Sequence, residues 1–212
     1  MTGPLRIAVL VSGGGTTLQN LIDRIADGLL DARIVLVVSS RAGTGGVARA
    51  ERHGLPSCVV EWPGRSRAEA FSAAITRAVD DSGADLVVLG GFLRLWSFPP
   101  HWDGRVMNIH PALLPAFGGQ GMYGHHVHEA VLASGVKVSG CTVHFASREY
   151  DTGPIIVQRT VPVTTADTPD ELAARVFEQE CAAYPEAIGL YAAGRLRVDG
   201  RRVHVLPVEP RA

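Results

Sequence analysis

The chain opens with an apolar run, a glycine cluster and an amphipathic segment, and this succession limits the possible folds more than any other feature. Leu5–Val11 is almost wholly apolar, as expected of a strand buried on both faces of a parallel sheet. Glycines at 13–15 turn the chain, and apolar side chains then recur at helical spacing at Leu18, Leu21 and Ile22. A strand, a tight turn and a helix make the first unit of an α/β protein.

The alternation of strand and helix continues along the first half of the chain. Further strands are predicted at 34–38, 57–60, 85–89 and 105–110, and helices at 46–53 and 67–81. Later, two β-branched segments at 138–146 and 155–164 flank a turn and predict an antiparallel pair. A last long helix follows a cap at Asp167 or Thr168, and a small hairpin is predicted over 195–205. We therefore predict an α/β fold with an open, mostly parallel, twisted sheet and an antiparallel C-terminal extension.

The composition is that of one globular domain over 1–212. Hydrophobic residues make up 46% and charged residues 19% of the 212, which supports a core and excludes wholesale disorder. The net charge is −1, so a nucleic-acid partner is not expected. Three cysteines without a C-x-x-C pair fit a reducing cytoplasm, and no apolar run is long enough for a membrane span. We expect small-molecule ligands and a monomer or homodimer.

The glycine turn before the first helix is a candidate anion site. Free backbone N–H groups and the positive end of the helix dipole would face such a ligand, and the hydroxyls of Thr16 and Thr17 can add donors. A plain tight turn, which also needs glycine, is the alternative. The turn is not a good dinucleotide fingerprint, because Leu18 occupies the third glycine position, and no Gly-Lys-Ser/Thr follows to make a P-loop.

A second candidate site lies where an amide and an imidazole leave the end of a strand side by side. Asn108 and His110 are two residues apart in an apolar run, so their side chains share one face, and Pro111 ends the strand. Asp151 lies in the turn between the two β-branched segments. Together they suffice for acyl transfer without a covalent enzyme intermediate: the amide and an imidazolium hold an oxyanion, and the carboxylate raises the pKa of the imidazole. Solvated or structurally satisfied polar side chains are the alternative.

Three histidines fall in a short helix predicted over 124–133. His125, His126 and His128 suggest a metal, but no Asp, Glu or Cys completes a recognisable ligand pattern. We therefore predict surface histidines and no metal. The preceding loop, 111–123, is long and rich in glycine, and is a candidate lid or wall of a site.

Five segments between Ile7 and Ala193 carry a recognisable pattern: V-L-V-S-G-G-G-T-T-L-Q, V-V-L-G-G-F-L-R, N-I-H-P-A-L-L-P, G-C-T-V-H-F and D-T-G-P-I-I-V-Q. Together, and in this order, they resemble phosphoribosylglycinamide formyltransferase, the folate-dependent enzyme of the third step of purine synthesis. N-I-H-P with the downstream D-x-G marks the wider formyltransferase class. The front segment S-G-x-G-x-x-L-Q narrows the resemblance to the glycinamide ribonucleotide branch. The phosphate turn departs from the pattern at Gly14 and Thr17, and the loop after Pro115 is longer.

The resemblance implies a Rossmann-like formyltransferase fold with a nucleotide-binding half, about 1–105, and a folate and catalytic half, about 106–212. It implies transfer of a formyl group from the cosubstrate 10-formyltetrahydrofolate to the amine of 5'-phosphoribosylglycinamide, in the cytoplasm and without a metal. Asn108, His110 and Asp151 match the family's catalytic residues. A cis peptide bond is implied at Leu114–Pro115.

Binding residues are carried over from the same resemblance. Those that match the ribonucleotide site are Gly15, Thr16, Thr17, Phe177, Glu178, Gln179 and Glu180, the last as the holder of the amine or ribose. Those that match the folate site are Arg67, Leu93, Arg94, Leu95, Trp96, Asn108, Ser147, Arg148, Glu149 and Tyr150. For the apolar segment 92–96, core packing is the alternative.

Related chemistries are the nearest alternatives. Formyl-folate hydrolysis and formylation of methionyl-tRNA or of a sugar amine use the same Asn, His and Asp, but generally with a further domain, for which we expect no room in this chain. A nucleotide-binding regulatory module would use the glycine turn without needing the Asn–His–Asp set.

Overall fold

The computed structural model describes residues 3–208, which contain one nine-stranded sheet, five α-helices and two short 3₁₀ turns. The strands are β1 (Leu5–Val11), β2 (Ala32–Ser39), β3 (Ser57–Val59), β4 (Leu86–Leu89), β5 (Val106–His110), β6 (Val138–Phe145), β7 (Ile155–Pro162), β8 (Leu196–Asp199) and β9 (Arg202–Val205). The helices are α1 (Thr16–Ala26), α2 (Gly45–Arg52), α3 (Ala68–Ser82), α4 (His125–Ser134) and α5 (Pro169–Ala192), and the 3₁₀ turns are Arg65–Arg67 and Pro100–Trp102.

The strand order reverses at β1, and this reversal sets the position of the site. The sheet has the order β3-β2-β1-β4-β5-β6-β7-β9-β8, and its first five strands are parallel. The chain runs outward from β1 to β3 on one side and then crosses to β4 on the other side. Open α/β sheets bind ligands at the C-terminal ends of the strands beside such a reversal. The glycine turn after β1 and the ends of β4 and β5 lie at this edge.

The second half of the sheet changes direction. β6 is antiparallel to both β5 and β7, and β8 and β9 form a terminal hairpin that joins β7 through β9. The predicted fold class is therefore confirmed, including the antiparallel extension and the hairpin. The pairing of β5 with β6 was not predicted, and it sets Asn108 opposite His144.

Helices cover both faces of the sheet and make three layers, as amphipathic elements around a two-faced sheet require. On one face, α1, α4 and α5 bury an apolar cluster that includes Leu18, Val127 and Val176. On the other face, α3 packs Phe71 and Ile75 against the sheet, together with the aromatic segment after β4. The site edge is thereby held between two rigid layers.

The last helix runs without a break through Pro185. A proline inside a helix has no N–H to donate to the carbonyl four residues earlier, which here is Cys181. The Cys181 carbonyl instead accepts a hydrogen bond of 3.2 Å from the side-chain amide of Asn20 on α1. The side chain of α1 thus replaces the missing backbone donor and ties the two helices together.

We expect Asn20→Ala to lower the free energy of unfolding by about 1 kcal/mol, the usual net contribution of one hydrogen bond. In a Pro185→Ala background the loss is smaller, because the alanine restores a backbone donor to the Cys181 carbonyl. Urea unfolding of the four proteins of this double-mutant cycle measures the difference. If Asn20→Ala lowered the free energy of unfolding equally in both backgrounds, the Asn20 amide would not be replacing the missing backbone donor at Pro185.

Candidate active site

β5 delivers the amide and the imidazole to the site edge, as the alternation predicted. Asn108 and His110 project from the same face of β5, and both line one large cavity. Asp151 reaches them from the turn between β6 and β7. Its Oδ1 accepts from Nδ2 of Asn108 at 3.3 Å, and its Oδ2 lies 3.5 Å from Nδ1 of His110. The structure therefore brings the three predicted catalytic side chains together.

Backbone strain is concentrated at these residues. Asp151 has φ 58° and Phe117 has φ 54°, and they are the two non-glycine residues with positive φ in the stretch 3–208. The Phe117 carbonyl accepts a hydrogen bond of 2.8 Å from Nε2 of His110, and the backbone N–H of Gly119 donates one of 2.9 Å to Oδ2 of Asp151. The loop after β5 thus orients both the imidazole and the carboxylate, and strained backbone often marks such sites.

The carboxylate of Asp151 is ionised in the folded protein. Burial alone raises its pKa, but contact with His144, the charge of His110 and the Gly119 N–H outweigh burial and hold the pKa of Asp151 below its usual value. A buried carboxylate that accepts several hydrogen bonds behaves in this way.

The expectation for His110 was wrong in direction. Burial is the largest influence and lowers the pKa of His110, and the opposing effects of Asp151 and of the Phe117 carbonyl do not compensate for it. The side chain is 4% exposed, so loss of hydration penalises the imidazolium strongly. Its Nε2–H is directed at Phe117, and the imidazole is neutral at neutral pH in the unliganded protein.

His144 is a site residue that the sequence analysis missed. Its Nε2 lies 3.2 Å from Nδ2 of Asn108 and 3.6 Å from Oδ1 of Asp151. Its Nδ1 donates a hydrogen bond of 2.9 Å to the Phe145 carbonyl. The buried ring contacts both Asn108 and Asp151 and helps to fix their orientation. The signal was present in G-C-T-V-H-F, but it needed the β5–β6 pairing to be interpreted.

The large cavity has a volume of about 640 Å³ and extends from Asn108, His110 and Asp151 to the start of α1. Thr16 and Thr17 form one end, and Phe177 and Glu180 of α5 form part of the wall. Gly15 caps α1 with φ 73°, and a Cβ there would lie 2.6 Å from Cα of Gly46, so glycine is also required for packing. Glu178 and Gln179 do not line this cavity.

A small pocket of about 50 Å³ adjoins the large cavity. Five residues line both spaces, namely Phe92, Arg94, Asn108, Tyr150 and Asp151. The predicted folate residues in the small pocket are Arg94, Leu95, Trp96, Asn108, Ser147, Glu149 and Tyr150, while Leu93 lines the large cavity.

Two other predicted folate residues lie outside these walls. Arg67 is exposed and ends a 3₁₀ turn, and Arg148 pairs with Asp103 at 2.8 Å. Trp96 is 3% exposed, and its indole Nε1–H donates a hydrogen bond to the hydroxyl of Thr76. The alternative of core packing therefore holds for this side chain, although it also lines part of the small pocket.

Glu180 faces the large cavity without a charged partner close enough to oppose burial. Burial raises the pKa of Glu180 to about 8. The side chain keeps some access to the cavity, so a ligand that carries a hydroxyl or an amine can reach its carboxyl group. A cationic ligand would restore its ionised form.

The three histidines of α4 do not share one environment. The side chains of His125 and His126 are 55% and 63% exposed, as predicted for surface histidines. His128 is buried and lines the large cavity, so the prediction was wrong for this residue. It belongs to the buried face of α4, together with Val127 and Val131. No cluster of His, Cys, Asp or Glu suited to a metal ion occurs between residues 3 and 208.

The long loop after Pro115 forms a wall of the large cavity. Gly119 to Gly124 line it, including Met122 and the exposed side chain of Tyr123. The implied cis peptide bond at Leu114–Pro115 is confirmed. The prediction of a loop that borders the site is consistent with this position, but the contribution of Met122 and Tyr123 could not be assigned from the sequence.

Comparison with known proteins identifies the family. Residues 5–188 match the family model described as formyl transferase. The chain belongs to the formyl transferase family. Phosphoribosylglycinamide formyltransferase of Escherichia coli (strain K12) is 36% identical over 208 residues, covering 94% of this chain and 96% of that protein. Glycinamide ribonucleotide transformylase 1 from Symbiobacterium toebii has a TM-score of 0.88 at 41% identity, covering 98% of this chain and 96% of that chain.

Other relatives of this formyl transferase differ in size or in named reaction. Trifunctional purine biosynthetic protein adenosine-3 of Gallus gallus is 42% identical over 93% of this chain, but the chain spans only 19% of that protein. A formyltetrahydrofolate deformylase from Pseudomonas syringae has a TM-score of 0.85 at 25% identity, covering 97% of this chain and 67% of that chain. The fold is therefore shared by transfer and hydrolysis enzymes.

Family membership confirms three predictions: the resemblance to phosphoribosylglycinamide formyltransferase, the formyltransferase fold, and the assignment as an enzyme, a formyl transferase. No helix within the described residues is long and apolar enough to cross a membrane.

Proposed function

We propose that this formyl transferase moves a formyl group from 10-formyltetrahydrofolate to the amine of 5'-phosphoribosylglycinamide. The observation that carries the proposal is the position of Asn108 and Asp151, which line both the large cavity and the small pocket. A reaction between two substrates needs reacting groups at a place that both can reach. The ribonucleotide occupies the large cavity, the folate ring enters by the small pocket, and the formyl carbon lies between them.

The ribonucleotide phosphate binds at the start of α1. The first turn of α1 contains no acidic side chain, so the positive end of the helix is free to attract an anion. The hydroxyls of Thr16 and Thr17 and the backbone at Gly15 supply donors. Phe177 and Glu180 line the same cavity, and Glu180 holds the amine or the ribose. Glu178 and Gln179 lie outside the cavity wall and have no direct contact in this proposal.

We expect Thr16→Val and Thr17→Val each to raise KM for the ribonucleotide by about tenfold, because a hydrogen bond to a charged group contributes about 1.5–3 kcal/mol. KM for the folate stays unchanged, since neither residue lines the small pocket. Steady-state kinetics with each substrate varied in turn measures both constants. These variants are preferred to substitutions of Gly15, whose side chain would collide with Gly46. Equal rises in KM for the ribonucleotide and KM for the folate would contradict phosphate binding by Thr16 and Thr17.

The substrate amine attacks the formyl carbon and gives a tetrahedral intermediate. Nδ2 of Asn108 donates to the developing oxyanion. His110, neutral in the free protein, takes up the proton that the attacking amine releases, because the negative charge that forms beside it offsets the cost that burial imposes on the imidazolium. The carboxylate of Asp151 stabilises that imidazolium, and the proton then moves to the departing folate nitrogen. No nucleophilic side chain or metal takes part in this route.

The nucleotide-binding half, about 1–105, supplies the anion end of the cavity, and the folate and catalytic half, about 106–212, supplies Asn108, His110 and Asp151. We place the reaction in the cytoplasm because the cysteines Cys58, Cys141 and Cys181 are all unpaired. The assembly is a monomer or a homodimer, which light scattering distinguishes directly.

The deciding experiment incubates the protein with 10-formyltetrahydrofolate, with and without 5'-phosphoribosylglycinamide. Folate absorbance and mass spectrometry follow both products. We expect tetrahydrofolate and the formylated amine to appear in equal amounts, and folate to be stable without the amine. Loss of the formyl group at the same rate without the amine would instead support the hydrolase alternative. Ligand binding without any turnover would support a regulatory module.

A further inference from the structure

Thr142 and Gln158 belong to two of the five segments that carry the family resemblance, G-C-T-V-H-F and D-T-G-P-I-I-V-Q, but neither has a part in the proposed reaction. Thr142 is buried on β6, and Gln158 lies opposite it on β7. Neither residue lines the large cavity or the small pocket. Their side chains instead contact each other and the segment 112–114, which follows the end of β5.

The hydroxyl of Thr142 uses all of its hydrogen-bonding capacity. It donates to the Ala112 carbonyl at 2.7 Å, and it accepts from the Leu114 backbone N–H at 3.0 Å and from Nε2 of Gln158 at 3.0 Å. A hydroxyl has one donor and two acceptor positions, so this one is fully satisfied. Nε2 of Gln158 also donates to the Leu114 carbonyl at 3.0 Å. Two side chains of the sheet thereby hold three backbone groups of the segment 112–114.

The segment 112–114 leads directly to the backbone groups that orient the proposed catalytic side chains. Three residues after Leu114, the Phe117 carbonyl accepts from Nε2 of His110 at 2.8 Å. Two residues further on, the N–H of Gly119 donates to Oδ2 of Asp151 at 2.9 Å. A continuous series of hydrogen bonds and short backbone links therefore connects Gln158 with the imidazole and the carboxylate.

The connection from Leu114 to Phe117 has little freedom to absorb a displacement. A Cβ at Gly118 would lie 2.5 Å from Cδ2 of Leu114, so the two residues are in close contact. The N–H of Ala116 donates to the Leu113 carbonyl at 3.1 Å and closes the turn between them. Phe117 has φ 54°, a conformation that a non-glycine residue keeps only when its surroundings impose it. A shift of Leu114 is therefore passed on to the Phe117 carbonyl.

We propose that Gln158 and Thr142 are positioning residues for the imidazole of His110. They hold the segment 112–114, and through it the Phe117 carbonyl, in the place that fixes the orientation of the ring. The expected effect on the rate rests on the proposed function, because it assumes that His110 takes part in formyl transfer. The expected effect on the His110 ring itself does not depend on any reaction.

The tautomer of His110 reports this role in the absence of substrate. Because Nε2–H donates to the Phe117 carbonyl, the neutral ring carries no proton on Nδ1. If that carbonyl moves away, the tautomer with a proton on Nδ1 gains, since Oδ2 of Asp151 lies 3.5 Å from Nδ1 and can accept it. His144 is an internal reference, because its Nδ1–H donates to the Phe145 carbonyl, which lies outside the segment 112–114.

The kinetic test compares variants of the two positioning residues. Gln158→Leu removes both amide donors at similar size and is expected to lower kcat by about tenfold. Thr142→Val removes the hydroxyl and leaves its partners unpaired, so we expect a loss of about a hundredfold, the scale of a misplacement of about 1 Å. Thr142→Ser keeps the hydroxyl and is expected to retain most of the rate. KM for the ribonucleotide is expected to change less than about threefold in all of them, because neither residue lines the cavity.

Thr160→Val is the matched control. Thr160 is exposed on β7 two residues after Gln158, and alternation along the strand places both side chains on the same face. Its side chain makes no hydrogen bond to the segment 112–114 among the residues that the structure describes. Wild-type kcat and the wild-type tautomer of His110 are expected for this variant.

Nitrogen-15 NMR of the labelled protein without substrates measures the tautomer of each histidine. We expect the Nε2–H form of His110 in the wild type, and a shift toward the Nδ1–H form in Gln158→Leu and Thr142→Val. The Nδ1–H form of His144 is expected to persist in all variants. Loss of global stability alone would not change the tautomer of one ring in the folded protein.

Two results overturn the proposal: kcat of Gln158→Leu indistinguishable from wild type, or a His110 tautomer that stays unchanged in Gln158→Leu although its kcat falls. If circular dichroism shows that Thr142→Val does not fold, Gln158→Leu decides, because Gln158 is partly exposed and its loss leaves the core intact. Formyl transfer by the wild-type protein is measured first. Its absence would reject the proposed function, whereas the NMR measurement would still decide whether Gln158 positions His110.

Discussion

Asn108→Ala is expected to lower kcat for formyl transfer by about a hundred- to a thousandfold, the usual cost of removing one oxyanion donor. The amide is already held in place by two contacts, at 3.2 Å to Nε2 of His144 and at 3.3 Å to Oδ1 of Asp151. These contacts fix the position of the amide, and one of its two N–H groups exchanges its partner for the formyl oxygen when that oxygen becomes charged. KM for the ribonucleotide is expected to stay within threefold, because the phosphate end of the cavity at Thr16 is untouched.

Asn20→Ala is the matched control for this variant. It also removes an asparagine amide, but at the contact between α1 and the Cys181 carbonyl, so it lowers stability and leaves kcat unchanged. Stopped-flow absorbance under single-turnover conditions measures the chemical step in both. A rate for Asn108→Ala within threefold of wild type would show that the oxyanion is held by other groups.

Asp151→Asn is expected to lower kcat on the order of a thousandfold, in the range found when the carboxylate beside a catalytic histidine becomes an amide. The substitution keeps the shape of the side chain but removes the negative charge that faces His110 at 3.5 Å. It also exchanges an acceptor for a donor on one side, so the bonds from Asn108 and Gly119 cannot both be kept.

The same variant has a signature in pH dependence. In the free protein the charge of Asp151 raises the pKa of His110 against the larger lowering effect of burial. Removing that charge lowers the pKa further, so the protonated fraction of His110 is lost at a lower pH. Because the neutral imidazole is the form that takes up a proton in the reaction, and kcat/KM reports groups of the free protein, we expect the acid fall in kcat/KM to move to lower pH in Asp151→Asn. The control is Asp85→Asn. Asp85 lies just before β4, and its carboxylate pairs with Arg6 of β1. This variant is expected to leave the pH profile unchanged.

Local periodicity was sufficient for the elements and for part of the site. The apolar run before the glycine turn predicted β1 and α1, and the two-residue spacing of Asn108 and His110 predicted their shared face. Asp151 was found because its turn lies between two recognisable strands. Each of these inferences uses only residues that are close together in the sequence. The spacing of apolar and polar side chains along the chain is sufficient for such local features.

Features that depend on distant contacts were not predictable in this way. His144 joins the site through the pairing of β5 with β6, which alternation within one strand does not record. The donor that serves the Cys181 carbonyl next to Pro185 is Asn20, which lies 161 positions away in the sequence. The low pKa of His110 and the inward position of His128 follow from packing, which decides how much hydration an imidazole loses.

The central claim is that Asn108, His110 and Asp151 act as one unit on the formyl group, and a double-mutant cycle tests it most directly. Single-turnover rates are measured for the wild type, Asn108→Ala, Asp151→Asn and the double mutant, all with both substrates saturating. Because Asn108 and Asp151 share a hydrogen bond and the same intermediate, the double mutant is expected to lose far less than the product of the two single losses. A loss equal to that product would mean that the two residues act independently and would contradict the account.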